Sequence, residues 1–115
     1  MPRKSRAYSV LSDAALGSLM QLGQRLREAR LRRNWTQALT AEKSGLSESS
    51  IKKVESGSPH ISVSAYLALF DVYGLPTALE SVFAPGDDTL GESLSRANLR
   101  QRAREPRTPA DEWEL

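Results

Sequence analysis

The 115-residue chain has no cysteine, a single histidine, and few aromatic residues: two tryptophans, three tyrosines and two phenylalanines. Without cysteine, neither a disulfide framework nor a thiolate zinc site can be built. His60 stands beside Pro59 in a loop-like stretch with no companion ligands around it, so no metal site is expected. Glycine-rich phosphate loops are absent and the carboxylates are scattered, which leaves no set of side chains for catalysis. The expectation is a non-enzyme with no cofactor. No apolar run reaches the roughly 20 residues a membrane-spanning helix needs. The opening MPRKSRAYSVLSDAALGSLM is basic and then mildly apolar, but Ser12 and Asp13 interrupt it and a signal peptide is not formed. A cytoplasmic, nucleoid-associated location is therefore expected, with no membrane partner.

What the chain does contain is a modest apolar fraction, 39%, enough for one small helical core. Its formal charge of +2 is unevenly spread. Residues 1–83 hold 11 basic and 7 acidic side chains, and residues 84–115 hold 5 and 7, giving +4 and −2. The positive field sits on the part expected to fold, the sign a phosphate-binding surface requires.

The run WTQALTAEKSGLSESSIKKVESG, residues 35–57, fits two short helices joined by a tight turn. Thr36 can cap the first helix, about 37–44, by accepting from a free backbone N–H of the first turn. Ala41 is small enough for a close helix crossing. Gly45 stands where positive φ is wanted and Leu46 turns inward. Ser47 caps a second helix, about 48–56, and Gly57 closes it. Ile51 and Val54, three apart, share its buried face. That arrangement turns Glu48, Ser49, Ser50, Lys52 and Lys53 outward as a polar row able to enter a major groove.

The remaining segments organise around this motif. Residues 1–11 form a basic, flexible arm carrying Arg3, Lys4 and Arg6. Ser12 can cap a long helix to about Arg33, with Leu19, Leu22, Leu26, Ala29 and the stem of Arg30 at helical spacing. Trp35 reads as a core plug. Ser62 or Ser64 can start a helix whose Tyr66, Leu67, Leu69, Phe70 and Tyr73 supply the largest apolar surface, stopped at Gly74. Leu75, Pro76 and Thr77 can begin a fifth helix ending near Phe83. The expected fold is all-α: five helices over residues 12–83, then a partly disordered tail at 84–115 with a short helix containing Leu90, Leu94 and Leu99. The tail cannot bury a core of its own. Trp113 and Leu115, set among acids at its end, suit docking into a basic, apolar-floored groove on a partner.

With Gln37, Ala41, Gly45, Leu46, Ile51 and Val54 at the signature positions, and Glu55 and Gly57 ending the motif, residues from about 21 to 83 resemble the helix-turn-helix domain of Xre-type, phage repressor-like regulators. The resemblance implies that Gln37 binds a phosphate and braces the reading helix, while Glu48, Ser49 and Lys53 meet base edges. Ser47 and Lys52 are then phosphate contacts, with Arg33 and Thr36 as secondary candidates. Glu48 departs from the arginine or glutamine many members place there. It either accepts from a cytosine amino group or is tied to Lys52 at i, i+4, and the intrahelical pair is the favoured expectation. One module makes few base contacts, so a homodimer on palindromic double-stranded operator DNA is expected, with Leu75, Leu79, Val82 and Phe83 as the interface.

The tail pattern Asp88, Leu90, Gly91, Leu94 followed by arginines further resembles HipB-type antitoxins. That likeness implies an autorepressor that also binds and restrains a HipA-like serine/threonine kinase toxin. Two other readings remain open: a repressor with no toxin partner, and a helical protein-interaction module that binds no DNA.

Overall fold

In the computed structural model, the described residues are 10–104. Arg3, Lys4 and Arg6 of the basic arm, and Trp113 and Leu115 of the tail, lie outside them. The described chain is all-α, with five α-helices, one 3₁₀ turn and, among the described residues, no strand. It divides into two compact units, one ending at Leu79 and one beginning at Glu80.

In the first unit, α1 spans Asp13–Arg32, α2 Gln37–Ser44, α3 Glu48–Glu55 and α4 Val63–Val72. Each of the first three starts on a hydroxyl that satisfies a backbone N–H the helix cannot: Ser12 accepts from Ala15, Thr36 from Leu39 and Ser47 from Ser50, at 3.0–3.1 Å. Asp13 at the start of α1 and Arg30 and Arg32 at its end complement the helix dipole. Gly45 ends α2 at φ 76°, a conformation in which a Cβ would clash with the backbone.

The core is built from α1 to α4. Leu26 of α1, Ala41 of α2, Ile51 and Val54 of α3, and Ala65, Tyr66, Leu69 and Phe70 of α4 are buried together with Tyr73, and Leu46 and Trp35 pack against them. Ile51 and Val54 are completely buried, each contributing about 1.5–3 kcal/mol relative to exposure. Leu67, expected in the core, faces outward at 38% exposure. Burial pushes the phenols of Tyr66 and Tyr73 up from their ordinary range.

The expected fifth helix at Pro76–Phe83 is not formed. Only a 3₁₀ turn, Ala78–Ser81, occupies that stretch. Gly74 at φ 84° ends the chain's run from α4, Phe83 takes a left-handed φ of 54°, and Pro85 follows, leaving too few residues to offset helix nucleation. Leu79 packs against the core of the first unit, whereas Leu75, Val82 and Phe83 are exposed.

The second unit instead supplies the fifth α-helix, α5, Thr89–Arg104, longer than the short helix expected there. Its entry is fixed by carboxylates: Asp88 accepts from the Gly91 N–H and Glu92 from the Gly86 N–H. None of the described residues in this unit is buried, and Leu90, Leu94 and Leu99 are all more than half exposed.

Helix α1 lies close against the end of α3. A Cβ placed on Gly23 would collide with the carbonyl oxygen of Val54 and lie 3.0 Å from that of Glu55. Both obstacles are backbone and cannot swing aside. Gly23→Ala should therefore cost about 1–3 kcal/mol, as overpacking does, read as a lowered urea midpoint despite alanine's better helix propensity.

Candidate nucleic-acid interface

Helices α2 and α3 hold their geometry through a polar network at the edge of the core. The Arg30 guanidinium grips the Glu55 carboxylate with two parallel bonds, Nε to Oε2 at 2.7 Å and Nη2 to Oε1 at 2.9 Å. Its remaining terminal nitrogen donates to the Trp35 carbonyl at 3.0 Å. Gln37 completes the network, its Nε2 donating to Glu55 Oε1 at 3.2 Å. The Glu55 hydrogen bond raises Arg30 above its already high ordinary value, against the opposing effect of burial. The pair's side chains are only 9% and 5% exposed, so the charges interact where water screens them little. One ion pair thus joins the end of α1, the turn at Trp35, the start of α2 and the end of α3.

In the sequence, Arg30 shows only as a stem in the apolar stripe and Glu55 only as the motif's ending. The signal was spacing. Arg30 lies four residues beyond core Leu26, and Glu55 four beyond core Ile51, so each charge sits on a buried face and needs a partner.

With Ile51 and Val54 turned inward, α3 presents Glu48, Ser49, Lys52 and Lys53 to solvent. Ser50 is different: it is half-buried, and its hydroxyl accepts from Ser47 Oγ at 2.9 Å. Ser47 therefore spends its hydroxyl proton on Ser50 and its oxygen on the Ser50 N–H. Thr36, exposed, accepts from Leu39 and retains its own hydroxyl proton. Gln37 uses one of the two protons on Nε2 for Glu55 and keeps one for an outside acceptor.

The favoured Glu48–Lys52 pair is not formed: no ion pair joins the two side chains. An exposed pair of this kind gains only about 0.3–0.5 kcal/mol and must offset the entropy of ordering two long side chains. Arg33 is occupied elsewhere. Its guanidinium donates to the carbonyls of Ala29 and Tyr73 and stands 5.0 Å from the Tyr73 ring centroid and 5.8 Å from that of Trp35. Trp35 stacks on Tyr73 with centroids 5.8 Å apart, and Lys43 Nζ lies 4.8 Å from the Trp35 centroid. Trp35 is partly buried against the core, and Arg33, Lys43 and Tyr73 occupy its ring, which leaves no open face for a base to stack on.

The order of elements, the αL turn at Gly45, two eight-residue helices and a polar outer face on the second define the fold type. A family described as a helix-turn-helix domain matches residues 21–82, more than half of the chain. The chain belongs to the helix-turn-helix family of the Xre/Cro-like type. A search of curated proteins finds no match. In this helix-turn-helix domain α2 and α3 are the two motif helices, and the domain makes the chain a DNA-binding regulator. Among the described residues there is no cluster of histidine and carboxylate side chains able to hold a metal, and no helix is long and apolar enough to cross a membrane.

Removing one partner of the buried pair strands the other. Glu55→Ala should lower stability by about 3 kcal/mol and displace α2 relative to α3, measured by chemical denaturation and by the loss of slow amide exchange at Ile51 and Val54.

Proposed function

We propose that this chain is a sequence-specific transcriptional repressor that binds palindromic operator DNA as a homodimer, with α3 in the major groove. The observation that carries this reading is the fixed rotation of α3. The Arg30–Glu55–Gln37 network and the burial of Ile51 and Val54 leave Glu48, Ser49, Lys52 and Lys53 as its only outward side chains of any length. Ser49 and Lys53 meet base edges; Lys52, the free proton of Gln37 Nε2 and the Thr36 hydroxyl meet phosphates. Ser47 and Ser50 shape the helix entry and touch the backbone only through that shape. Arg33 acts indirectly, by clamping the end of α1 to the carbonyl of Tyr73.

The dimer forms through apolar side chains of the segment that follows α4: Leu75, Val82 and Phe83 are 64%, 59% and 84% exposed, and Leu79 packs against the core of the first unit. Large apolar side chains exposed along this segment are what a partner copy would cover.

A second reading is that this repressor is also an antitoxin restraining a HipA-like serine/threonine kinase. It is favoured by α5, an ordered helix that buries nothing yet carries Leu90, Leu94 and Leu99 on its surface. Capture of the full chain from its native cell extract, with mass spectrometry and sequencing of bound DNA, separates the readings. Recovery of a HipA-like kinase with a palindromic site supports the antitoxin; DNA without a kinase leaves the repressor; neither leaves an interaction module.

Binding to the selected duplex should weaken steeply with salt, because phosphate neutralisation releases counterions. Lys52→Ala should weaken binding to all sequences about equally and reduce the log–log salt slope by about 1, whereas Lys53→Ala should also relax preference at one base pair, both measured by fluorescence anisotropy across a salt series.

A further inference from the structure

Of the two carboxylates in α3, one is accounted for: Glu55 is held by Arg30 and Gln37. The other, Glu48, is the first residue of the helix, exposed, and joined to no cation. Its placement is unfavourable for a generic DNA surface, because an ionised carboxylate accepts hydrogen bonds only and is repelled by phosphates. Lys52, one turn further along the same face, does not neutralise it. The helix N-terminus lowers the cost of the negative charge in the free protein but adds nothing specific to DNA.

The major groove offers a carboxylate two kinds of donor, the N6 amino group of adenine and the N4 amino group of cytosine. On an A·T pair the amino group lies between two acceptors, adenine N7 and thymine O4, and both repel the carboxylate. On a C·G pair it has an acceptor on one side only, guanine O6, with the C5–H of cytosine on the other. An acceptor-only head at the start of α3 is therefore matched best by the amino group of cytosine.

Resting on the operator-binding reading above, we infer that Glu48 is a specificity-determining residue that selects a cytosine in each operator half-site by accepting from its N4 amino group. Glu48 is joined to no cation in the free chain, so it can meet a base without first breaking an ion pair. The carboxylate also excludes duplexes that present only acceptors or a methyl group at that step, so part of its effect is rejection rather than attraction.

The test is selection of bound duplexes from a random library by the full chain and by two variants, Glu48→Gln and Glu48→Ala, each first checked for an unchanged helical circular-dichroism spectrum. The wild type should yield a palindromic site with one cytosine per half-site favoured roughly five- to 150-fold over the other bases. Glu48→Gln, which carries a donor beside its acceptor and matches adenine N6 and N7, should move that preference from cytosine to adenine while leaving the rest of the site intact. Glu48→Ala should abolish the preference at that pair alone. If the wild type selects no site at all, the operator-binding reading itself fails. If it selects a site and both variants retain the same cytosine preference, or bind every sequence uniformly more tightly with the site unchanged, the base-reading role of Glu48 is overturned while operator binding stands.

Discussion

The buried contact between Arg30 and Glu55 is the constraint on which the arrangement of the first unit depends. Apolar side chains bring α1, α3 and α4 together, but hydrophobic burial is nearly indifferent to small rotations of a helix about its axis. A guanidinium fork meeting a carboxylate with two bonds of 2.7 and 2.9 Å is not indifferent. Rotating α3 by even part of a turn would separate charges that have little water to return to. The third Arg30 bond, to the Trp35 carbonyl, and the Gln37 bond to Glu55 extend the same constraint to the turn before α2 and to its first residue. The network's net stabilisation can be small, since desolvating two charges offsets most of their attraction. Its value is geometric: it decides which side of α3 faces solvent.

The constraint matters because α3 is short. Eight residues make a helix about 12 Å long, comparable with the width of the major groove and too short to persist alone in water. Everything that orients it must come from outside: the Ser47 cap at one end, Glu55 and the close passage of α1 at the other, and Ile51 and Val54 between them. Gly23 and Gly57 belong to the same arrangement. Gly57 takes φ 75°, and a Cβ there would lie 2.6 Å from the Cα of Met20, so both glycines let α1 pass over the end of α3 at backbone contact.

Much of this was legible in the sequence because the motif combines signals of different kinds. Thr36 and Ser47 as caps, Gly45 as a left-handed stop, and Ile51 and Val54 as a buried pair are each local and each stand in the structure as expected. What depended on distant partners was less readable. The partner of Arg30 is 25 residues away, and the engagement of Arg33 by the Tyr73 carbonyl spans 40. The Glu48–Lys52 pair failed for the opposite reason: its spacing is right, but an exposed pair has too little to gain from forming. Residues 75–83 misled because proline at a helix start is a permission and not a driving force; with three side chains left in solvent, no burial stabilises more than a 3₁₀ turn. For α5 the leucines pointed to a helix but did not mark its ends: its start is fixed by the carboxylates of Asp88 and Glu92, and it runs to Arg104.

The central claim is that α3 is the DNA-reading element and that its outward row makes the contact. Amide chemical-shift mapping of the full chain during titration with its selected duplex tests this most directly. The account predicts that the largest perturbations fall on residues 47–53, with a second group at Thr36 and Gln37, and that the amides of α4 around Leu69 and Phe70 stay in place. Perturbations confined to α5, or spread evenly over the surface with none concentrated on α3, would contradict it.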